Sequence, residues 1–520
     1  MLNSVVNNRY IDVSNKVIMF NKISLFCMAL ACSLALMINY AISDEKSTAS
    51  QTNGILTDVI LDVIIVGGGI AGMTAAYQLK DYNILVLEKR STVGGKAFSG
   101  KYKDFTYAKG TEYLGKLEGP LKRIVKELNL TVREIPYPAD IHFHNGKYFY
   151  GDMGKALMLA KKSSIAEFNS FVSAIQWVYR SYEDIPDLDM ESKIARLDKI
   201  SARQWFEEKK FPEIYADTYN VTFKGLFGAT IDEISALSAL TEIAFDYEGE
   251  EKIESFSELR NDSKPGKYNT GMYSFDNGIA EIPLAIAERL GSKVQVNSKV
   301  VSVKEKDDVY FVTYENQYGK ENTYQAHAVI LAVPAPVTLN IANKVLSNEQ
   351  IEIIEKVSYA PYLTVALFSE EPIFNKGFDL AVPDGMFFTD VYDGTWTERY
   401  YNKHLKDKKA FVTTVYIAPE SYKDRSILSM PEEKILSTLY KDMGKIFPGV
   451  KDKVKDYEII RFNFAYPVMT PGAYKRLTRL HEITKDGLLL AGDYMIYPTF
   501  EAAAVSGVLA AEKAMDWLEE

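Results

Sequence analysis

Residues 59–96 constrain the fold more than any other part of the chain. Val59-Ile60-Leu61-Asp62-Val63-Ile64-Ile65-Val66 is a nearly unbroken run of branched aliphatic residues. Such a run marks a strand buried on both faces, as in a parallel sheet covered by helices. It leads into Gly67-Gly68-Gly69-Ile70-Ala71-Gly72, a helical stretch over Met73–Lys80, and a second apolar strand Ile84-Leu85-Val86-Leu87 ending in Glu88. Gly67, Gly69 and Gly72 stand in G-x-G-x-x-G spacing. The first permits a tight turn out of the strand, the second lets a pyrophosphate approach the backbone, and the third lets the helix lie on the sheet. The helix then opens at Ile70 and Ala71 with free N–H groups and a partial positive charge aimed at the phosphates. Glu88 follows Gly67 by twenty-one residues, where a carboxylate accepts the hydroxyls of an adenosine ribose. A glycine-rich turn alone often only turns. Here strand, glycines, helix, second strand and acid fall in order, and they predict a dinucleotide site on an α/β domain of Rossmann type.

The residues just past Glu88 decide which dinucleotide. Glu88-Lys89-Arg90, followed by Gly94-Gly95-Lys96, resembles the second fingerprint of the flavin amine oxidase superfamily. That superfamily includes monoamine and polyamine oxidases, protoporphyrinogen oxidases and carotenoid desaturases. The resemblance implies FAD, with Arg90, Gly95 and Lys96 wrapped around its pyrophosphate. Lys109-Gly110-Thr111-Glu112-Tyr113-Leu114-Gly115 is similar to the family segment L-G-G-x-Y/W-x-G that passes along the flavin. Gly110 matches its first glycine and Thr111 departs from its second. Phe227–Leu237, with its Ser-Ala-Leu, resembles the family's substrate-domain helix. Val300 takes the place of a valine whose backbone meets the adenine, and Ala328–Pro334 that of a strand beside the flavin. Near the C-terminus, Ala491-Gly492-Asp493 and Glu501-Ala502-Ala503 before Ser506-Gly507 resemble the family's closing motifs, with Ala502 replacing a glycine. Asp493 is thereby expected to accept from a ribitol hydroxyl. The last helix, opening at Phe500 and Glu501, is expected to face the flavin N1/C2=O edge.

These pieces imply an interleaved architecture. An FAD-binding Rossmann-type domain is expected from 58–120, 266–345 and 456–520, and a mixed α+β substrate domain from 121–265 (mostly helical) and 346–455. At 520 residues with 47% hydrophobic content the chain can build two substantial cores. A net charge of -10 and the lack of a dense Lys/Arg stripe argue against a nucleic-acid partner. The only cysteines, Cys27 and Cys32, precede the predicted domains, so the body has no thiol nucleophile, no cysteine metal site and no cysteine to link a flavin. FAD is therefore expected to bind non-covalently. His142 and His144 alternate on a predicted strand without a third ligand nearby in sequence, and no metal is expected.

The chemistry implied is hydride transfer from a substrate C–H to flavin N5, on a small-molecule substrate. Three departures limit the amine-oxidase resemblance. Thr364 stands where the family's amine oxidases carry a lysine near N5. Thr499 stands where monoamine oxidases place an aromatic two residues before the glutamate. The loop from Asp493 to Glu501 is also shorter than theirs. Thr364 and Tyr497 are the candidate catalytic positions. Three functions fit: oxidation of the C–N bond of an amine or amino acid, desaturase- or porphyrinogen-type oxidation of C–C bonds in a hydrophobic substrate, and FAD binding without turnover. The electron acceptor is O₂ or a quinone.

The N-terminus reads separately. Residues 1–22 are polar, Ile23–Ile38 is apolar apart from Ser24 and Ser33, and Ala41-Ile42-Ser43 precedes the charged Asp44-Glu45-Lys46. A lysine before such a run and small residues after it read as a secretory signal peptide over 1–43, with a polar linker over 44–57. Uncleaved, residues 23–42 are long enough for a short membrane anchor with the body outside. The protein is thus expected to be exported or anchored. The mature chain should begin near Asp44; mass spectrometry showing intact Met1 or Met19 on a soluble cytosolic protein would refute export.

Overall fold

The computed structural model describes residues 56–247, 252–483 and 485–519. The expected signal or anchor segment and most of the polar linker lie outside the described residues, as do Cys27 and Cys32. Among the described residues no helix is long and apolar enough to cross a membrane.

The first strand, β1 (Leu56–Val66), the helix α1 (Ile70–Gln78) and the strand β2 (Ile84–Leu87) form the predicted βαβ unit. Leu56 and Thr57, expected in the linker, already belong to β1. Val63–Val66 pair in parallel register with Ile84–Leu87 on one side and Ala328–Leu331 on the other. All of these strand residues are buried except for marginal exposure at a few positions, as a doubly covered parallel sheet requires. Leu488–Leu490 extends the sheet beyond Val329–Leu331, and Val294-Gln295 extends it beyond Val86-Leu87, both in parallel. The strand Glu321–Leu331 serves two layers. Its first half closes an antiparallel meander with Ser298–Lys306 and Val309–Asn316, and its second half runs through the parallel core.

Helix α1 and the C-terminal helix Phe500–Glu519 cover one face together. They meet backbone to backbone: the Thr74 hydroxyl donates to Ala504 O at 3.0 Å, and a Cβ on Gly507 would collide with Ala71 O. The helix Gly119–Glu127 joins the same face, burying Leu121, Ile124 and Val125 in the α1 core.

A second seven-stranded sheet runs in the order Val454–Val468, Ser358–Ser369, Phe411–Ile417, Asp390–Asp393, Asp379–Ala381, Ile141–His144, Lys147–Phe149. Its strands come from two distant stretches. Val454–Val468 crosses residue 456, where the sequence reading begins the third FAD-binding piece, and pairs along Ser358–Ser369. Five helices between Gly151 and Phe245 pack beside it around Phe171, Tyr215, Tyr219, Phe223 and Phe227. The Phe227–Leu237 motif is a joint between two of these helices. Gly228, with φ +63°, ends the first, and the Ser235 hydroxyl caps the second by accepting from Leu237 N–H.

Candidate active site

The cofactor residues fall into one line of contacts. Gly68 N–H donates to Glu88 Oε2 at 2.7 Å, and Arg90 N–H to Oε1 at 2.8 Å. Glu88, at the end of β2, is 6% exposed, and these bonds fix its carboxylate beside the glycine turn. A Cβ on Gly72 would collide with Gly67 O, and a Cβ on Gly95 would crowd the Cα of Gly69. The two glycine motifs therefore touch through backbone alone. The N-terminus of α1 at Gly69 has no side-chain cap and no acid in its first turn, which leaves the N–H groups at Ile70 and Ala71 for an anion. Arg90 Nη1 donates to Gly95 O at 2.5 Å and its guanidinium lies over Phe98. Lys89 is exposed beside it.

Next along the line is Lys96, whose ammonium pairs with Asp493 and donates to Ala465 O at 2.6 Å. This joins the second fingerprint to the closing motif across 397 residues. Gly492, with φ +147°, donates its N–H to the Ser506 hydroxyl at 2.9 Å, so the Gly-Asp turn is held by the C-terminal helix. Thr111 N–H donates to Lys96 O, which brings Gly110 and Thr111 against the same turn. Val300 lies at the other end: Ser298 N–H donates to Glu88 O at 2.8 Å two residues before it. The order is carboxylate, free amides with cations, then a second carboxylate. This donor set suits a molecule with a sugar at one end, a pyrophosphate in the middle and a polyol at the other end. The residues present fit FAD.

Phe500 packs on the α1 core, while Glu501 turns aside and accepts from Gly115 N–H at 2.8 Å. Burial holds the Glu501 carboxyl above its usual range. The start of the last helix is capped by Thr499, whose hydroxyl accepts from Ala502 N–H at 3.2 Å.

The two catalytic candidates stand apart from this line. Thr364 is 2% exposed, and its hydroxyl donates to Lys109 O at 2.8 Å. It backs the expected flavin-lining segment with its only proton committed. Tyr497 is buried in the helical core, where its hydroxyl donates to Ser238 O at 3.0 Å and lies 3.4 Å from Glu242. Burial, then the Glu242 charge, push this phenol well above its usual range, so it stands as a neutral hydrogen-bond donor.

A group of acids invisible in the sequence surrounds Tyr113. Asp140, Glu242, Asp246 and Asp390 keep partial exposure although protein surrounds them. Burial raises Glu242 and Asp390 to about 7, with Asp246 adding to the rise at Glu242. Asp379 is pushed well up by burial and by Asp140. All but Asp246 act on the Tyr113 hydroxyl. Asp140, Asp152 and Asp246 bring carboxylate oxygens within 4.8 Å of one another. The space between them is taken by a side chain: Lys155 Nζ lies 2.8 Å from Asp246 and 3.0 Å from Asp140. His142 Nε2 lies 3.3 Å from Asp140, and His144, two residues on along the same strand, makes no such pair. These acids come from positions 140, 152, 242, 246, 379 and 390 with no common motif, and no local signal announces them.

The family profile "Flavin containing amine oxidoreductase" matches residues 70–515. The chain belongs to this family. It is 26% identical to amine oxidase [flavin-containing] B of Bos taurus over 327 residues, which are 61% of this chain and 58% of that protein. The match thus spans little more than half of that relative's length. Among solved structures, cyclohexylamine oxidase from Brevibacterium oxydans IH-35A superposes with a TM-score of 0.68 at 17% identity, covering 89% of this chain and 100% of that one. A CLA-producing fatty acid isomerase from P. acnes superposes at 0.65 and 15% identity, covering 87% and 98%. These likenesses are of fold.

Glu88→Ala should weaken FAD binding by roughly 1–3 kcal/mol, because a charge-assisted contact to the sugar is lost together with the anchor of the glycine turn. Titration of the apoprotein with FAD measures it, and an unchanged affinity would remove Glu88 from the ribose site.

Proposed function

We propose that this protein is an FAD-dependent oxidoreductase that oxidises the C–N bond of a cationic amine. One observation carries the choice of amine: of the carboxyls gathered around Tyr113, burial holds Glu242, Asp379 and Asp390 at or near neutrality, Asp140 and Asp246 having taken up the Lys155 charge. A ligand ammonium supplies that charge, and the carboxyls gain by ionising against it. Among the described residues the lysine of the group, Lys155, is already engaged by Asp140 and Asp246, so a substrate carboxylate would meet acids with no free base. This favours an amine over an amino acid, and over a fatty acid or porphyrin acted on at a C–C bond.

Bound along Glu88, the α1 N-terminus and Asp493, FAD supplies the hydride acceptor at N5. The chain's own residues do the rest. Glu88 and Asp493 hold the two sugar ends, Lys96 offsets the Asp493 charge, and the segment Lys109–Gly115 is pinned through Lys109 O by Thr364 and through Gly110 O by Tyr416. Glu242 and Asp390 attract the substrate ammonium once ionised. Their pKa values near 7 set the sign of the pH dependence: the carboxylate form grows as pH rises through 7, and with it amine affinity. We further infer that the flavin is held non-covalently and that the chain is exported or anchored by residues 23–42, as the cysteine positions and the N-terminal pattern support.

Denaturation should release all flavin into the supernatant. Anaerobic titration should bleach the holoprotein with primary amines and leave it oxidised with amino acids, fatty acids or polyenes. Amine kcat/KM should climb from pH 6 to 8 in wild type and less steeply in Glu242→Gln. Bleaching by a carboxylate substrate but by no amine would refute the reading.

Thr364 offers no charge to developing superoxide, and its proton is committed to Lys109 O. A favourable charge in a dry site contributes a few kcal/mol, so the reduced protein should reoxidise slowly in O₂ and faster with a quinone. Stopped-flow mixing tests this, with Thr364→Lys expected to gain rate in O₂; a fast wild type or an unresponsive variant would sink the idea.

A further inference from the structure

Two carboxyls of the group near Tyr113 share one helix, Ala236–Phe245, and differ in what faces them. Glu242 lies toward the cofactor motifs, 3.4 Å from the hydroxyl of Tyr497 in the loop between Asp493 and Glu501. Among the described residues no lysine or arginine pairs with it. Asp246 caps the same helix in helical conformation four residues later, one turn or about 6 Å further along the axis. It is met by a cation: Lys155 Nζ lies 2.8 Å from Asp246 and 3.0 Å from Asp140.

Lys155 comes from another helix, Gly151–Lys162, and its side chain is 3% exposed. Burial would strip its proton, but Asp140, Asp246 and Asp152 hold its ammonium well above the usual range. The Tyr219 ring lies beside it, 6.0 Å from Nζ. A primary ammonium is thus held by carboxylates next to an aromatic face, the surroundings an amine ligand needs. The chain supplies that ammonium itself. The oxygens of Asp140, Asp152 and Asp246 all lie within 4.8 Å of one another, and a second ammonium brought there would meet the Lys155 charge at close range.

We propose that Lys155 is a specificity-determining residue. Its ammonium fills the place that the second ammonium of a short diamine would take, one helical turn from Glu242, so the enzyme takes monoamines and rejects diamines. A diamine with four carbons between its nitrogens spans about 6 Å when extended, the rise from Glu242 to Asp246. This inference rests on the amine reading above and adds to it a side chain that selects among amines.

The test is calorimetric titration of the FAD-loaded full chain, reduced beforehand with dithionite so that no hydride can be accepted and the heats report binding alone. Butylamine and butane-1,4-diamine are compared. Wild type should bind the diamine at least tenfold more weakly than butylamine. Lys155→Met should reverse that preference, and Lys155→Arg, which keeps the charge, should preserve it. Because Lys155→Met leaves two carboxylates unpaired, Lys155→Met/Asp246→Asn carries the test where the single variant does not fold, and there too the ratio should move toward the diamine. A lysine that served only to hold the helices together would change melting and leave the ratio alone. Equal binding of the two amines by wild type would overturn the proposal, as would a folded Lys155→Met or double variant with the wild-type ratio. Absence of binding by either amine would overturn the amine reading and this inference with it.

Discussion

The structure depends on a close approach of backbones at one place. Helix α1 leaves the glycine turn pressed against Gly67 O, and the C-terminal helix crosses α1 where Gly507 meets Ala71 O and Ala504 O accepts from Thr74. No side chain larger than hydrogen fits at Gly72 or Gly507. That absence lets two helices more than 400 residues apart in sequence share one face of the parallel sheet. The Gly492-Asp493 turn, tied to the last helix through Ser506, is then carried to Lys96. The two ends of the cofactor line are therefore placed by helix packing, and the Lys96–Asp493 pair completes it.

Charge is distributed by a second constraint. Acids enclosed in protein either find a partner or take up a proton. Asp140 shows the first outcome: burial would raise it, but Lys155 and His142 hold it well below the usual range. Glu112, Glu242 and Asp390 show the second. Breaking a buried ion pair costs roughly 3–5 kcal/mol, so the Lys155 cluster is a fixed part of the helical layer. The unpaired carboxyls around it remain free to respond to a ligand.

The segment Lys109–Gly115 lies among carboxyls on two sides. Tyr113 faces one group of carboxyls and Glu112 the other. Thr364 and Tyr416, from neighbouring strands of the second sheet, hold the segment through the carbonyls of Lys109 and Gly110. The order of the strands has a mechanical consequence: a strip that touches the glycine turn at Lys96 is clamped by the second sheet through backbone carbonyls.

Much of this was legible in the chain alone. β1, α1 and β2 are set by a branched-aliphatic run and glycine spacing, which are local and follow from backbone sterics. The contacts around Glu88, Gly69, Gly95, Lys96 and Asp493 fall along one line because each motif carries its own geometry. Tyr497 shows what local reading leaves out. A loop tyrosine looks available in sequence, yet it packs into the helical core and is held protonated there. The Asp140–Lys155–Asp246 cluster, the raised Glu112 carboxyl and the cap at Thr499 were decided by tertiary structure. Burial and pairing depend on which distant strands lie side by side, and a carboxyl's neighbours, unlike a glycine's conformational freedom, are not written next to it in the chain.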